Sequence, residues 1–232
     1  MNIIEGSFMM KKGFTLSEVL ITLGIIGVVA ALTIPGLITT YKAHRLHTQF
    51  LKSYSVIQQA FKQMGEDDVS IDPSTYSNRT FYQTFMKYFD GATDCDFAGE
   101  KCPDLAGTGY VSFDGKDKSV SLNENKKWSI FDDGQFLLKD GTLIIIENMG
   151  SQLWVHVDLN GYKNPPNRLG YDLFTFDFLD EELRTMGDKD TLYHDMEKYC
   201  NIKSTTKFNG IACAQKAKEN SDYFKDLAKE IK

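Results

Sequence analysis

One carboxylate stands alone in a long apolar run: from Phe14 to Ile34 every residue is uncharged except Glu18. A carboxylate in apolar surroundings is costly unless a cation is held beside it, so Glu18 calls for a positively charged partner. A second constellation is DLNGYKNPPNRLGYDLF, Asp158 to Phe174. There Asp158, Asn160, Asn167 and Asp172 bring carboxylate and carboxamide oxygens into a stretch shaped by Gly161, Pro165, Pro166 and Gly170. Calcium takes about six to eight oxygen ligands of these kinds, which makes the four side chains candidate ligands. The stretch is not an EF-hand, because the twelfth position from Asp158 is Leu169 where that motif needs a bidentate Glu. Asx side chains that merely satisfy loop backbone groups are the alternative reading.

The four cysteines fall as two close pairs, Cys95 with Cys102 and Cys200 with Cys213. Outside a membrane they are expected to form disulfides. Three pairings are open, and the two local ones are favoured because each closes a short loop rich in turn formers. A four-cysteine zinc site would need C-x-x-C spacing, which neither pair shows. His44 and His47 are three apart on a helical pattern, a spacing that suits a metal or a polar face. His156 lies two before Asp158 in a strand pattern, with no nucleophile in a recognisable motif beside it. The sequence has no G-x-S-x-G elbow, Walker A or dinucleotide fingerprint, so no motif points to an enzyme. A net charge of −6 argues against general nucleic-acid binding, which needs a clustered basic surface.

Periodicity gives the elements that must position these groups. A helix over Phe14 to Ile34, rising about 1.5 Å per residue, spans roughly 30 Å, the hydrocarbon thickness. Lys11 and Lys12 place its start on the cytoplasmic side. Gly24, Gly27 and Pro35 loosen it and predict a bend or local unwinding near Pro35. Beyond, Leu46, Phe50, Tyr54, Ile57, Phe61 and Met64 recur at steps of three and four, so the helix continues as a spine with one buried stripe. It should stop near Gly65. A short helix is expected around Arg79 to Phe89, then strands at Tyr110–Phe113, Ser119–Leu122, Trp128–Phe131, Gln135–Lys139, Thr142–Glu147, Leu153–Leu159 and Leu173–Phe178. Of the Asp-Gly pairs at 114–115, 133–134 and 140–141, the last reads as a two-residue hairpin turn.

Alternation in LWVHVDL puts Leu153, Val155, Val157 and Leu159 on one face and Trp154, His156 and Asp158 on the other, giving the sheet a core side laid on the spine. Past Asp180 the chain is polar, with helices expected at Thr191–Tyr199 and Ile211–Asn220. The fold class is α+β, a long N-terminal helix packed on an antiparallel sheet, with enough chain beyond the helix for one modest domain.

The run Lys11-Lys12-Gly13-Phe14-Thr15-Leu16-Ser17-Glu18 resembles the prepilin cleavage and methylation signature of type IV pilins and type II secretion pseudopilins. Pro35 sits where many members carry a helix-kinking proline. The resemblance implies cleavage after Gly13 by a prepilin peptidase, N-methylation of Phe14, and pairing of Glu18 with the N-terminal amine of a neighbouring subunit. It also implies other pilin or pseudopilin subunits, an inner-membrane assembly platform and its ATPase as partners. The chain would then be a single-pass inner-membrane protein before assembly, with its C-terminal domain outside. The segments it implies are a leader over 1–13, an assembly helix over 14–35, an amphipathic continuation over 36–65 and a globular domain over 66–232. The leader is long if Met1 is the start, and Met9 or Met10 would shorten it. The Asp158–Phe174 stretch is similar to a loop recurrent in pseudopilin-like proteins, some of which bind calcium.

Other readings stay open. Lys11, Lys12, the apolar core and Ala30-Ala31 also describe a secretory signal peptide, though the run exceeds a usual h-region and Glu18 interrupts it. A plain anchor would explain the hydrophobicity but not the Gly13-Phe14 junction with Glu18. A membrane-anchored enzyme and a minor subunit binding DNA during uptake are the functional rivals, the latter through the lysine-rich stretch 198–232. The acid-rich stretch 179–197 and that lysine-rich stretch are solvated faces or meet between subunits.

Overall fold

The computed structural model describes residues 13–77, 79–97, 101–102, 109–116, 120–121, 131–148 and 152–230. The leader residues 1–12 and most of the expected strand Trp128–Phe131 lie outside the described residues, and Phe131 itself is not in a strand. The chain divides into two compact units, Met1–Lys42 and Ala43–Lys232.

Helix α1 runs over Leu16–Glu66. In the first unit its apolar side chains are exposed, Phe14 by 90% and Leu32 by 79%, and this is one helix long and apolar enough to cross a membrane. The helix continues through Pro35, so the expected unwinding does not occur; Thr39 Oγ1 donates to the Pro35 carbonyl at 2.9 Å.

In the second unit α1 ends at Glu66, beside Gly65 as expected, in a Schellman closure. Val69 N–H reaches the Met64 carbonyl at 2.9 Å and Asp68 N–H reaches that of Gly65 at 3.4 Å. Asp68, at φ +53°, takes the left-handed position usually filled by glycine. A 3-10 turn at Pro73–Thr75 and helix α2 (Phe81–Met86) follow.

The main sheet has six antiparallel strands: β1 (Thr93–Asp96), β4 (Gln135–Leu137), β5 (Leu143–Asn148), β6 (Leu153–Asp158), β7 (Leu173–Leu179) and β8 (Glu182–Thr185), neighbours in that order. Strands β2 (Gly109–Tyr110) and β3 (Val120–Ser121) pair separately. The chain closes with α3 (Met196–Tyr199), α4 (Cys213–Glu219) and α5 (Tyr223–Glu230). The α3 helix starts later than its pattern suggested because Asp195 caps it, accepting the Lys198 N–H at 3.2 Å.

One expectation needs correcting. The β4–β5 hairpin is not a two-residue Asp-Gly turn: Gly141 N–H bonds the Leu138 carbonyl at 2.9 Å, so Lys139 and Asp140 form the turn and Gly141, at φ +87°, follows it. This is a type I turn completed by a left-handed residue, a geometry that also matches strand twist. The sheet has its core side on the spine, as expected, and is covered on the other face as well. One face packs Ile144, Val155, Val157, Phe174 and Phe176 against Phe50, Ile57 and Phe61 of α1. The other buries Trp154, Ile145 and Leu173 beneath Tyr110, Phe131, Met186 and Ile211. All six residues of β6 are therefore buried.

Candidate functional site

The N-terminal site begins where α1 does. Thr15 Oγ1 accepts the Glu18 N–H at 3.2 Å, and Glu18 Oε2 accepts the Thr15 N–H and hydroxyl, each at 2.8 Å. This reciprocal pair is a capping box, Thr-x-x-Glu, which satisfies helix N–H groups that have no partner within the helix. Glu18 was legible as an isolated charge. Its capping role, signalled by the same four residues, was not read from the sequence. Gly13 and Phe14 lie immediately ahead of the cap, in non-helical backbone.

The second site is the loop from Asp158, at the end of β6, to Asp172, just before β7. Asp158 pairs with Leu173 across the strands, and Leu159 N–H bonds the Asp172 carbonyl at 2.8 Å, so both acids close the base of the loop. Tyr110 O–H donates to Asp158 Oδ2 at 2.8 Å, and Asn160 N–H approaches its Oδ1 at 3.3 Å. Asp172 accepts the Asn167 and Arg168 N–H groups at 2.9 and 2.6 Å. Gly161, at φ +76°, is required: a Cβ there would lie 2.3 Å from the Gly141 carbonyl oxygen. Tyr223 of α5 fixes the far end, donating to the Gly170 carbonyl at 2.6 Å.

Burial is the largest influence on both acids. It raises Asp158 well above the usual carboxylate range, helped by the charge of Asp172, while the Tyr110 hydrogen bond opposes it. Asp172 is raised likewise against the pull of its backbone donors. Asn160 Oδ1 and Asn167 Oδ1 are buried with no hydrogen-bond donor among the described residues. In kind, this donor set suits a hard cation such as calcium: two carboxylates needing charge compensation and two carboxamide oxygens without a donor. Among the described residues no three His, Cys, Asp or Glu side chains group to hold a metal, so any such ion would depend on these amide oxygens.

Other sequence candidates do not join a site. His156 is a core residue, its Nδ1 2.9 Å from Thr175 Oγ1 and its ring edge-on to Phe131. His44 is exposed, and the His47 ring lies 6.0 Å from Phe224. Disulfides join Cys95 to Cys102 and Cys200 to Cys213, the two local pairings.

Residues 8–34 match a family model described as a prokaryotic N-terminal methylation motif. The chain carries a prepilin-type methylation motif. The matched stretch contains the Gly13-Phe14 junction and the Thr15–Glu18 capping box, and the motif implies processing by a prepilin peptidase. No curated protein and no solved structure matches the chain.

Proposed function

We propose that this chain is a structural subunit of a type IV pilus or type II secretion pseudopilus. A prepilin peptidase cleaves it after Gly13 and methylates the new amine of Phe14. Subunits then assemble by packing their apolar helices, with Glu18 paired to the amine of a neighbour. The observation that carries this reading is the coincidence of the methylation motif with the exposed apolar start of α1. Hydrocarbon or neighbouring helices would cover that surface, and an amine–carboxylate pair formed there would reward one axial register over others.

In this reading the leader is 1–13, the assembly helix 14–35 and its amphipathic continuation 36–65, with 66–232 as the globular domain outside the inner membrane. An assembly platform and a separate ATPase would drive extrusion, and the chain itself performs no catalysis. The test is the mass of the N-terminal peptide recovered from the native membrane. A peptide beginning at N-methylated Phe14 is expected. An intact leader, or a start beyond Ala31, would overturn the reading in favour of an anchored or secreted protein.

A further inference from the structure

Charge returns to α1 abruptly. Val19–Ile38 is a run of 20 residues without a charge, about 30 Å of helix, the hydrocarbon thickness of a bilayer. Thr39, Thr40 and Tyr41 follow, and then KAHRLH places Lys42, His44, Arg45 and His47 within one short stretch. No acid occurs on the helix between Glu18 and Glu66. Lys42, His44 and Arg45 are exposed, His47 is half-buried, and Tyr41 is exposed by 67%. Further along α1, Lys52 pairs with Asp140 at 2.6 Å and Lys62 with Glu66 at 3.6 Å. The side chains of Lys42 and Arg45 have no ion-pair or hydrogen-bond partner among the described residues.

The arrangement around the helix says what such charges can meet. At about 100° per residue, Ala43, Leu46 and Phe50 share one side, the side that packs into the core. Lys42, His44, Arg45 and His47 are spread around the rest of the circumference, within about 7.5 Å of rise from first to last. A single protein partner meets a helix along one side, and would be matched by cations repeating up one face. A ring at nearly one height instead suits a surface that surrounds the helix, as the headgroup layer of a bilayer does. The depth agrees. With Ile38 at the edge of the hydrocarbon, Lys42 and Arg45 stand roughly 6 and 10 Å beyond it, and their long stems let the charged heads reach back to the phosphates. Tyr41 has the amphipathic ring that settles at that level.

We propose that Lys42 and Arg45, with His44 and His47 as further hydrogen-bond donors, bind the phosphate groups of anionic phospholipids where α1 leaves the bilayer. The inference rests on the reading of α1 as a membrane-embedded assembly helix, and names the lipid that this helix takes as partner. The contact fixes the axial depth of the helix before assembly.

The test uses the full chain reconstituted in phosphatidylcholine vesicles doped with spin-labelled phosphatidylglycerol or spin-labelled phosphatidylcholine. The fraction of label held against the protein is read by electron paramagnetic resonance. Phosphatidylglycerol should be favoured at least about threefold at low salt, and less as salt rises. The preference should vanish in the double variant Lys42→Gln with Arg45→Gln, and persist in the charge-keeping pair Lys42→Arg with Arg45→Lys. Circular dichroism checks that each variant keeps its fold. Equal retention of both lipids by the folded chain would overturn the lipid contact, leave the membrane helix standing and assign these cations to a neighbouring subunit. A preference that survives the double Gln variant, as one set by Lys11 and Lys12 would, also overturns it. No retention of either lipid would mean that the folded chain does not enter the bilayer, and would overturn the membrane reading together with the contact.

Discussion

Tyr110 shows how much of this protein's polar chemistry is decided by single donors. Its hydroxyl is the side-chain donor to Asp158, both groups are fully buried, and its own ionisation is pushed far up by burial and by that carboxylate. Tyr110→Phe should therefore cost about 1–3 kcal/mol, the penalty for leaving a buried acceptor unsatisfied, read as a lower urea midpoint with an unchanged slope. A loss below about 0.5 kcal/mol would mean that Asp158 is satisfied without the phenol. Sequence reasoning found Asp158 because Asx residues clustered around glycines and prolines. It could not find Tyr110, whose partner lies 48 residues away. Asp177 was hidden for another reason: alternation assigns it to the face opposite the spine, and nothing local signals that this face is covered too. Glu18 was legible because a lone charge in an apolar run stands out at any scale.

At the scale of elements, the β6–β7 connection and the interior strands β5 and β7 make stability depend on pH. Asp158, Asp172, Asp177 and Glu147 all have carboxyls raised by burial, Asp177 to about 6 and Glu147 to about 9, the last reinforced by Asp133 and Asp132. A carboxyl raised in the folded state binds its proton more tightly there than when unfolded. Its contribution is complete below the unfolded value of about 4 and is lost as pH climbs through the folded value. Asp94, Asp114 and Asp140 are lowered instead, and their contribution fades as pH falls below about 4. Maximum stability is thus expected near pH 4, with a decline from there toward pH 9, in thermal melts with chelator. Calcium should raise the melting temperature more at pH 8 than at pH 5, since only ionised Asp158 and Asp172 would bind it. Equal melts with and without calcium at pH 8 would leave backbone donors as the organisers of the loop.

The same scale shows where sequence patterns ran out. The central strands β5, β6 and β7 carry enough apolar residues to be read directly. TDCD of β1 and ELRT of β8 are short, polar strands at the sheet edges, where burial imposes no period. YFKDLAKE of α5 was passed over as polar tail, although Tyr223, Phe224 and Leu227 form a buried stripe at helical spacing.

For the whole molecule, the division at Lys42 and Ala43 separates two kinds of task. The unit from Ala43 onward holds both hydrophobic clusters, the six-stranded sheet and both disulfides, so its cohesion is internal. Glu18 makes its side-chain hydrogen bonds to Thr15, three residues away on the same helix. A chain truncated to Ala43–Lys232 should therefore fold, protect its sheet amides from exchange and unfold in one transition. Glu18→Ala in the full chain should leave that transition within about 0.5 kcal/mol, as distant sites usually do, while abolishing filaments in the native membrane. Glu18→Gln separates the two roles of this residue. A carboxamide oxygen can still accept the Thr15 bonds of the capping box, but it carries no charge to pair with an amine. Filaments lost in Glu18→Gln would locate the requirement in the charge. Filaments retained in Glu18→Gln but lost in Glu18→Ala would locate it in the cap, and the amine–carboxylate register would have to be abandoned.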